Sequence, residues 1–357
     1  MDELKILCYR VPTDKPESDG TFEWTSTTVV VVEAVASSCR GLGFSYASLA
    51  TATFTREFLA QAVVGCDAFS PEAAWQRMAM AVRNQGRAGV SAMALSAVDT
   101  ALWDLKARLL ELPLASLLGV VRLEVPVYGS GGFTSYSLDE LQRQLSGWVE
   151  QGIGRVKMKV GREPDADAER VRAARQAIGD AELFVDANGA YARKQALGFA
   201  ERFGEEGVSW FEEPVSSTDL EGLRMLRDRS PGGMDVSAGE YGYDLAYFRR
   251  MLAAQAVDVI QADLTRCGGI TGFLRVAALC DAFDLPLSAH TAPALSLQVA
   301  CALPQLRHIE YFFDHARIEE MIFDGFRPPE GGTMRPNLGR DGHGLQLRRQ
   351  TAHRYAV

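Results

Sequence analysis

The chain has 357 residues, of which 47% are hydrophobic and 23% charged, so it can bury a sizeable core and lacks the composition of a disordered protein. Its 37 basic and 46 acidic residues give a net charge of −9, and no basic run interrupts the sequence. This balance argues against nucleic acids and anionic membranes as partners and favours a small-molecule ligand.

The amino terminus and the cysteines indicate a cytoplasmic location. The first ten residues, MDELKILCYR, lack the apolar core of a signal peptide, and no segment approaches the ~18 apolar residues that a membrane span needs. The six cysteines are scattered without a C-x-x-C pair. Reduced, mostly buried thiols are therefore expected rather than disulfides or a zinc site.

The first third of the chain predicts an α+β domain over residues 1–122. The runs LKILCYRV, STTVVVVEAVAS and CRGLGFSY combine alternation, β-branched residues and glycine turns, which is typical of a small antiparallel sheet. Helical patterns follow at about 56–64, 71–82 and 90–110, before Pro113 and a short LASLLG segment.

From Val125 onward, short β-rich runs alternate with helical patterns. The strand candidates are VPVYGS, RVKMKV, ELFVDAN, VSWFEEP, DVSAGE, DVIQAD, LPLSAH and LRHIEYF. Eight strands with intervening helices predict a parallel sheet closed as a (β/α)8-type barrel over residues 123–330. The glycine-rich segment 331–357 is expected to return over the surface.

Each of the later seven strand candidates closes on an ionisable residue. These are Lys157 with Lys159, Asp186, Glu212, Glu240, Asp263, His290 and Glu310, at intervals of 20 to 29 residues counted from Lys157. Taken singly, each has an ordinary alternative, such as turn chemistry for Asp186, a helix cap for Asp263 or a core position for His290. Because the carboxyl ends of barrel strands converge on one mouth, their joint placement predicts a single charged pocket.

Three of these residues predict a magnesium site. Asp186, Glu212 and Glu240 stand on consecutive strands and form an all-oxygen set of the kind that holds Mg²⁺ and leaves positions for water and substrate. The lysine pair on one flank and His290 on the other place a candidate base on each side of a bound substrate.

At these residues the chain resembles the enolase superfamily, in its mandelate racemase subgroup. The matching motifs are ALWDLKARLLELPLASLLG, the K-x-K at Lys157 and Lys159, VDAN, WFEEP, AGE, ADLTRCGG, SAH and HIEYF. The resemblance implies a (β/α)7β-type TIM barrel with an α+β N-terminal capping domain, on which residues 331–357 pack back. It also implies a homo-oligomer that acts on a small carboxylate.

The same resemblance assigns roles by position. Asp186, Glu212 and Glu240 would bind Mg²⁺, Lys159 would be a base on one face of the substrate, and His290, oriented by Asp263, an acid or base on the other. Glu310 would hydrogen-bond the substrate carboxylate and Lys157 would contact it. Trp24 and Tyr46 in the closing loops, and Ser130 after the first barrel strand, are candidate substrate contacts.

The lysine pair carries an electrostatic expectation. Residues two apart on one face of a strand lie ~6.6 Å apart, and two unit charges at that distance repel by about 2.5 kcal/mol at an effective dielectric constant of about 20. Lys157 is therefore expected to bring the pKa of Lys159 below its ordinary value, as a base near neutral pH requires.

The reaction implied by the resemblance begins with removal of the proton α to a carboxylate. We favour dehydration of a sugar acid to a 2-keto-3-deoxy acid, with racemisation or epimerisation of a 2-hydroxy acid as the alternative. Asp263 stands where the muconate cycloisomerase branch has a lysine, which argues against that type. A Schiff-base aldolase and a non-catalytic sugar-acid binding protein remain open as other classes.

Overall fold

The computed structural model describes all residues 1–357 and begins with an antiparallel sheet. Its strands are β1 (Glu3–Ser18), β2 (Glu23–Ala36) and β3 (Cys39–Tyr46), paired in that order. The valine run in β2 is buried on both faces, since Val29 and Val31 join the main core while Val32 joins the core beneath the first helices. A continuous apolar run is typical of a strand covered on both sides.

Helices cover one face of this sheet. They are α1 (Leu49–Phe54), a π-helical turn (Thr55–Leu59), α2 (Ala60–Val63), α3 (Pro71–Ala81), α4 (Val90–Leu109) and α5 (Leu114–Leu118). A Cβ on Gly41 or Gly43 would lie 2.1–2.3 Å from a carbonyl oxygen of α4. Only glycine therefore permits this close approach of helix and strand.

The predicted start of the first helix is wrong. The helical segment begins at Leu49 rather than near residue 56. Its threonines disfavour a helix locally, but Ala52 packs with Cys8 and Val30 of the sheet, and the hydroxyl of Thr55 donates to the carbonyl of Thr51. Tertiary packing thus overrides the local preference.

Eight parallel strands close into a barrel, which confirms the predicted fold class. They are β4 (Val125–Gly131), β5 (Arg155–Lys159), β6 (Glu182–Asp186), β7 (Val208–Glu212), β8 (Asp235–Ala238), β9 (Val259–Ala262), β10 (Leu287–Ala289) and β11 (Leu306–Phe312). Each strand pairs with the next along the chain, and β11 pairs with β4 to close the ring.

A helix follows every barrel strand. They are α6 (Leu138–Glu150), α7 (Pro164–Ile178), α8 (Arg193–Glu205), α9 (Leu220–Arg229), α10 (Leu245–Ala253), α11 (Gly269–Ala282), α12 (Pro293–Ala300) and α13 (Phe313–Ile322). In β5, Val156 and Met158 face this helix layer in the main core, whereas Lys157 is 0% exposed and faces inward. Arg155, at the start of β5, pairs with Glu182 at 2.9 Å on the other end of the barrel.

The last residues contact both parts of the chain. They include β12 (Phe323–Asp324), β13 (Thr333–Met334), β14 (Gln346–Leu347), α14 (Arg349–Ala352) and a 3₁₀ turn (His353–Tyr355). β13 adds to β4 at the edge of the barrel, while Arg349 pairs with Glu33 of β2. The amide of Val357 donates to the carbonyl of Cys8 in β1.

The β1–β3 sheet lies over the carboxyl ends of the strands and is tied to the barrel by hydrogen bonds. Thr27 donates to Asp314, Ser45 to the carbonyl of Thr265 at 2.8 Å, and Tyr46 to Glu319 at 3.2 Å. We refer to residues 1–119 as the cap, because these bonds hold the sheet across the mouth of the barrel. All six cysteines are free, as predicted, and none of the helices has the length and apolar character of a membrane span.

We expect Glu319→Gln to flatten the pH dependence of stability between about pH 4.5 and 8. Burial raises the pKa of Glu319 from 4.5 to about 8. The folded protein therefore keeps this carboxyl protonated while the unfolded chain ionises, so the free energy of unfolding falls as pH rises, by up to about 1.4 kcal/mol per pH unit. Urea midpoints across this range measure the slope. The exposed neighbour Glu320→Gln is the control, and a Glu319→Gln protein with the wild-type slope would contradict the assignment.

Candidate active site

A cavity of about 440 Å³ lies between the cap and the mouth of the barrel. The barrel contributes Lys159, Asn188, Glu240, Tyr241, Arg266, His290, Thr291, Phe312 and His315 to its lining. The cap contributes Asp19, Thr21, Phe22, Trp24, Ser26, Thr27, Thr28, Tyr46, Ala47 and Ser48. A cavity of this size suits a small-molecule ligand.

The structure brings all of the predicted strand-end charges together. Lys159, Glu240 and His290 line the cavity itself. The others form the layer behind them, which we call the floor of the cavity, and are almost fully buried: Lys157, Asp186, Glu212, Asp263 and Glu310. Parallel strands produce this result, because each places its last inward side chain at the same end of the barrel.

Lys157 is enclosed by carboxylates. Its Nζ lies 2.7 Å from Glu212, 2.8 Å from Glu310 and 3.6 Å from Asp186. Glu310 also accepts hydrogen bonds from the hydroxyl of Ser130 and the amide of Thr291. The charges of Lys157, His290 and Lys159 hold the pKa of Glu310 at about 2, although burial alone would raise it. Lys157 thus neutralises the buried floor, and its predicted contact with a substrate stays a prediction.

Lys159 pairs with Asp186, and the prediction of a lowered pKa for Lys159 is wrong. Burial and the neighbouring Lys157 both lower this pKa, but Asp186, Glu240 and Glu212 raise it by more, so the pKa lies above its ordinary value. The repulsion between the lysines has the predicted sign. What the sequence could not show is that the carboxylates approach Lys159 closely enough to outweigh it.

His290 and Asp263 form a dyad. The Nδ1 of His290 lies 2.8 Å from Asp263, and its Nε2 lies 3.0 Å from Glu240 and 3.5 Å from Glu310. Burial would lower the pKa of His290, but Glu240, Glu310 and the bond to Asp263 raise it to about 10. Asp263 fixes the orientation of the ring, because it occupies Nδ1 and leaves Nε2 toward the cavity.

Asp263 is itself held firmly in place. Its Oδ1 accepts hydrogen bonds from the amide and the hydroxyl of Thr265, at 2.6 and 2.7 Å. Arg266 lies 3.3 Å from its Oδ2 and 3.4 Å from Glu240. The hydrogen bond to His290 and the charge of Arg266 together keep the pKa of Asp263 below its ordinary value despite burial.

The carboxylates of Asp186, Glu212 and Glu240 fit a divalent cation. One oxygen from each lies within 4.8 Å of the others, and all three side chains are buried. The Oε1 atom of Glu212 is buried without a hydrogen-bond partner, and burial together with Asp186 raises the pKa of Glu212 to about 8. Hard oxygen ligands of this kind suit Mg²⁺. A cation there would give the unpartnered oxygen of Glu212 a ligand and would reduce the repulsion among the three carboxylates.

Four residues at the mouth adopt left-handed backbone conformations. Asn188, Glu213, Thr291 and Ala292 have φ between 37° and 49° and are not glycines. Such conformations cost free energy and persist where the surroundings impose them, which is common at functional sites. Each lies just beyond the end of a barrel strand, in the loops that carry the charged cluster.

The three predicted substrate contacts divide into two groups. Trp24 and Tyr46 line the cavity. Ser130 does not: it is 0% exposed and donates to Glu310 at 2.6 Å, so it supports the floor. Ser130 stands near the end of β4 and therefore near the mouth, but its side chain points into the barrel and lies below the cavity.

Sequence reasoning did not assign roles to four residues of the site. Arg266 and Asn188 lie within the quoted motifs ADLTRCGG and VDAN, so their place was available. Glu213 follows Glu212 directly and is buried, with its Oε1 unpartnered. His315 lies at the start of α13 and stacks on Tyr46 with ring centroids 3.4 Å apart. Nothing in the local sequence distinguishes His315 from an ordinary helix residue.

Both parts of the chain match known protein families. Residues 5–119 match the family described as mandelate racemase / muconate lactonizing enzyme, N-terminal domain. Residues 140–351 match the family described as enolase C-terminal domain-like. The two matches cover the cap and most of the barrel.

Two individual proteins are similar over much of the length. A 3,6-anhydro-alpha-L-galactonate cycloisomerase from Streptomyces coelicolor is 31% identical over 100% of this chain and 99% of its own. The L-talarate/galactarate dehydratase from Salmonella typhimurium is 33% identical over 76% of this chain and 69% of its own.

Solved structures share the fold closely. The structure of that dehydratase liganded with Mg and L-lyxarohydroxamate has a TM-score of 0.91 at 28% identity, covering 100% of this chain and 92% of the other. A mandelate racemase/muconate lactonizing enzyme-like protein from Rubrobacter xylanophilus has a TM-score of 0.98 at 57% identity, covering 100% and 99%.

Proposed function

Because the chain belongs to the mandelate racemase/muconate lactonizing enzyme family of the enolase superfamily, we propose that it uses Mg²⁺ to dehydrate a sugar acid to a 2-keto-3-deoxy acid. One observation carries the proposal. Lys159 and the His290–Asp263 dyad enter one cavity from strands that are not neighbours, β5 and β10, with three buried carboxylates beside them. A base and an acid can thus reach a bound substrate from different directions.

The metal ligands in this proposal are Asp186, Glu212 and Glu240. Bound there, Mg²⁺ would act as a Lewis acid toward the negative charge that develops when the α proton of a carboxylate is removed. The three side chains fit this role by donor type and burial. Magnesium also occurs in the solved structure of the dehydratase relative.

Each remaining side chain has a defined task. Lys159 in its neutral form takes the proton from the carbon α to the carboxylate, and the C–O bond at the β carbon then breaks. Nε2 of His290 gives its proton to the departing hydroxyl, which leaves as water, and the resulting enol becomes the 2-keto acid. Lys157 and Glu310 hold the charge of the floor in balance, and Asp263 orients His290.

A second candidate is isomerisation of an anhydro-sugar acid. The cycloisomerase relative is covered over 99% of its own length, whereas the dehydratase is covered over 69%. Opening an anhydro ring by β-elimination would use the same base and acid, with the leaving oxygen still attached to the product. The same residues therefore support both outcomes, and the mass of the product separates them.

A library of sugar acids with Mg²⁺ tests the proposal. Dehydration predicts a 2-keto acid that has lost one water and carries solvent deuterium at C3 when formed in D₂O. Isomerisation predicts a keto product of unchanged mass, and racemisation predicts exchange at C2 without any keto product. If no acid is turned over and none exchanges deuterium, the dehydratase proposal is overturned and a binding protein is favoured.

We expect Asp263→Asn to lower kcat by about 10²-fold or more, since a neutral amide no longer stabilises the protonated ring of His290 or fixes its tautomer. KM should change little, because Asp263 lies behind the ring. The pH profile of kcat separates this positioning role from a structural one. Its basic limb, which reports the loss of the proton from His290, should shift toward acid pH, because Asp263 raises the pKa of that ring. Asp258→Asn, at the other end of the barrel, is the control. An unshifted profile with full kcat would contradict the assignment.

A further inference from the structure

The cap wall of the cavity lies opposite the charged residues of the barrel mouth. Its lining includes the rings of Phe22 and Trp24 and the hydroxyl residues Ser26, Thr28 and Ser48. Its one residue with a formal charge is Asp19, a carboxylate. This wall therefore offers apolar surface, hydroxyl groups and one negative charge to whatever approaches it.

Four hydrogen-bond donors on the cap wall are already used within the protein. The indole N–H of Trp24 donates to Glu17 at 3.0 Å, and the hydroxyl of Thr27 donates to Asp314. The hydroxyl of Tyr46 lies 3.2 Å from Glu319. That of Thr21 lies 3.2 Å from Asp19. Each of these four donors already has a carboxyl oxygen as its acceptor inside the protein, so it is not free for a carboxylate of a ligand.

The cationic groups of the cavity are likewise engaged, and His290 lies between Asp263 and Glu240. Lys159 pairs with Asp186 in the floor. Arg266 pairs with Glu240 and Asp263 and lies over the ring of Tyr241. Burial lowers the pKa of His315 to about 3, so its ring is neutral at physiological pH and can exchange hydrogen bonds with a hydroxyl without attracting a second carboxylate.

We propose that the cavity takes a sugar acid with a single carboxylate and discriminates against the matching diacid. The carboxylate that activates the α proton lies at the floor, among Lys159 and the predicted metal ligands. A second carboxylate at the other end would meet the negative charge of Asp19. The four donors named above already have acceptors within the protein, and burial of an unpaired charge is costly. A hydroxyl group at that end finds Ser26, Thr28, Ser48 and the rings, which suit a neutral polyol. This inference rests on the proposed function, because it assumes the orientation that the reaction requires.

The test compares acids that differ only in the second carboxylate. Gluconate is paired with glucarate, galactonate with galactarate and mannonate with mannarate, each with the Mg²⁺-loaded protein. We expect kcat/KM for at least one monoacid to exceed that of its diacid by about tenfold or more. A diacid that is turned over faster than its monoacid, in every pair with activity, would overturn the inference.

Variants in the cap wall make the cause testable. Thr21 is exposed and lies at the tip of the β1–β2 turn, so Thr21→Lys should add a cation and raise diacid activity relative to monoacid activity. Thr21→Gln, similar in length and uncharged, is the matched control and should leave the ratio unchanged. Asp19→Asn removes the negative charge while its Oδ1 can still accept from Thr21, and it should shift the ratio in the same direction. An unchanged ratio in both Thr21→Lys and Asp19→Asn would contradict the electrostatic explanation.

Failure of this inference can be distinguished from failure of the proposed function. If none of the six acids is converted, the dehydratase proposal loses support, and the affinities of the same pairs are measured by calorimetry with Mg²⁺ present. Tighter binding of the monoacids would uphold the discrimination without turnover. Tighter binding of the diacids, or no difference within a pair, would overturn it.

Discussion

Replacing His290 by Asn should lower kcat by about 10²- to 10⁴-fold, which is the usual contribution of a general acid or base. The ring lies in the cavity, with Nδ1 bonded to Asp263 and Nε2 directed toward Glu240 and Glu310. An asparagine amide can keep a hydrogen bond to Asp263, so the fold should be retained, but it cannot donate a proton to a leaving hydroxyl.

The measurement for His290→Asn combines steady-state rates with deuterium exchange. If Lys159 is the base, exchange of the α proton in D₂O should survive in the variant while formation of the keto acid is lost. Equal loss of exchange and product formation would make His290 the base and reverse the roles of the two residues. His353→Asn, at an exposed position near the end of the chain, is the matched control. A His290→Asn protein that keeps full activity would contradict any role for this residue in proton transfer.

Removal of Mg²⁺ should abolish turnover and lower the thermal stability of the protein. Asp186, Glu212 and Glu240 are buried close together, and an oxygen of Glu212 has no partner. A cation that binds only the folded state stabilises it by about 2.7 kcal/mol at a concentration of 100 times its Kd. We therefore expect Tm of the chelated protein to rise with added Mg²⁺ in a saturable manner.

The variant Glu212→Gln tests whether this site is responsible. The amide keeps the size of the side chain and an oxygen to accept from the indole N–H of Trp210, which lies 3.1 Å from the carboxylate, but it removes a charged ligand. The Mg²⁺-dependent rise in Tm and the activity should both be lost or moved to much higher Mg²⁺ concentrations. Glu182→Gln, near the opposite end of the barrel in an exposed pair with Arg155, should behave as wild type. A full Tm response in Glu212→Gln would place the cation elsewhere.

Much of the barrel was predictable from the sequence because two periodicities coincide in it. Strand-like runs recur with helices between them, and a charged residue stands at the end of each of the later seven strands. Parallel strands must bring those ends to one mouth, so the meeting of Lys159, Asp186 and His290 followed without knowledge of the contacts. The inward direction of Lys157 followed from the alternation of side chains along β5.

The cap and the electrostatics were less predictable. The helix that begins at Leu49 depends on the packing of Ala52 against the sheet. The pKa of Lys159 depends on distances to carboxylates from other strands. Ser130 could be placed near the mouth, but not assigned to the floor, because its bond to Glu310 joins residues 180 positions apart in the chain.

The sequence by itself determined the fold class, the acidic trio and the two candidate proton-transfer residues, because these depend on strand order and on the side that each side chain faces. Only the tertiary structure decided which charges line the cavity and which donors remain available to a ligand. Trp24, Thr27 and Tyr46 offer hydrogen-bond donors in the sequence, yet each donates to a carboxyl group of the protein itself. The partners of Thr27 and Tyr46 are Asp314 and Glu319 of the barrel, so these two bonds form only when cap and barrel pack together.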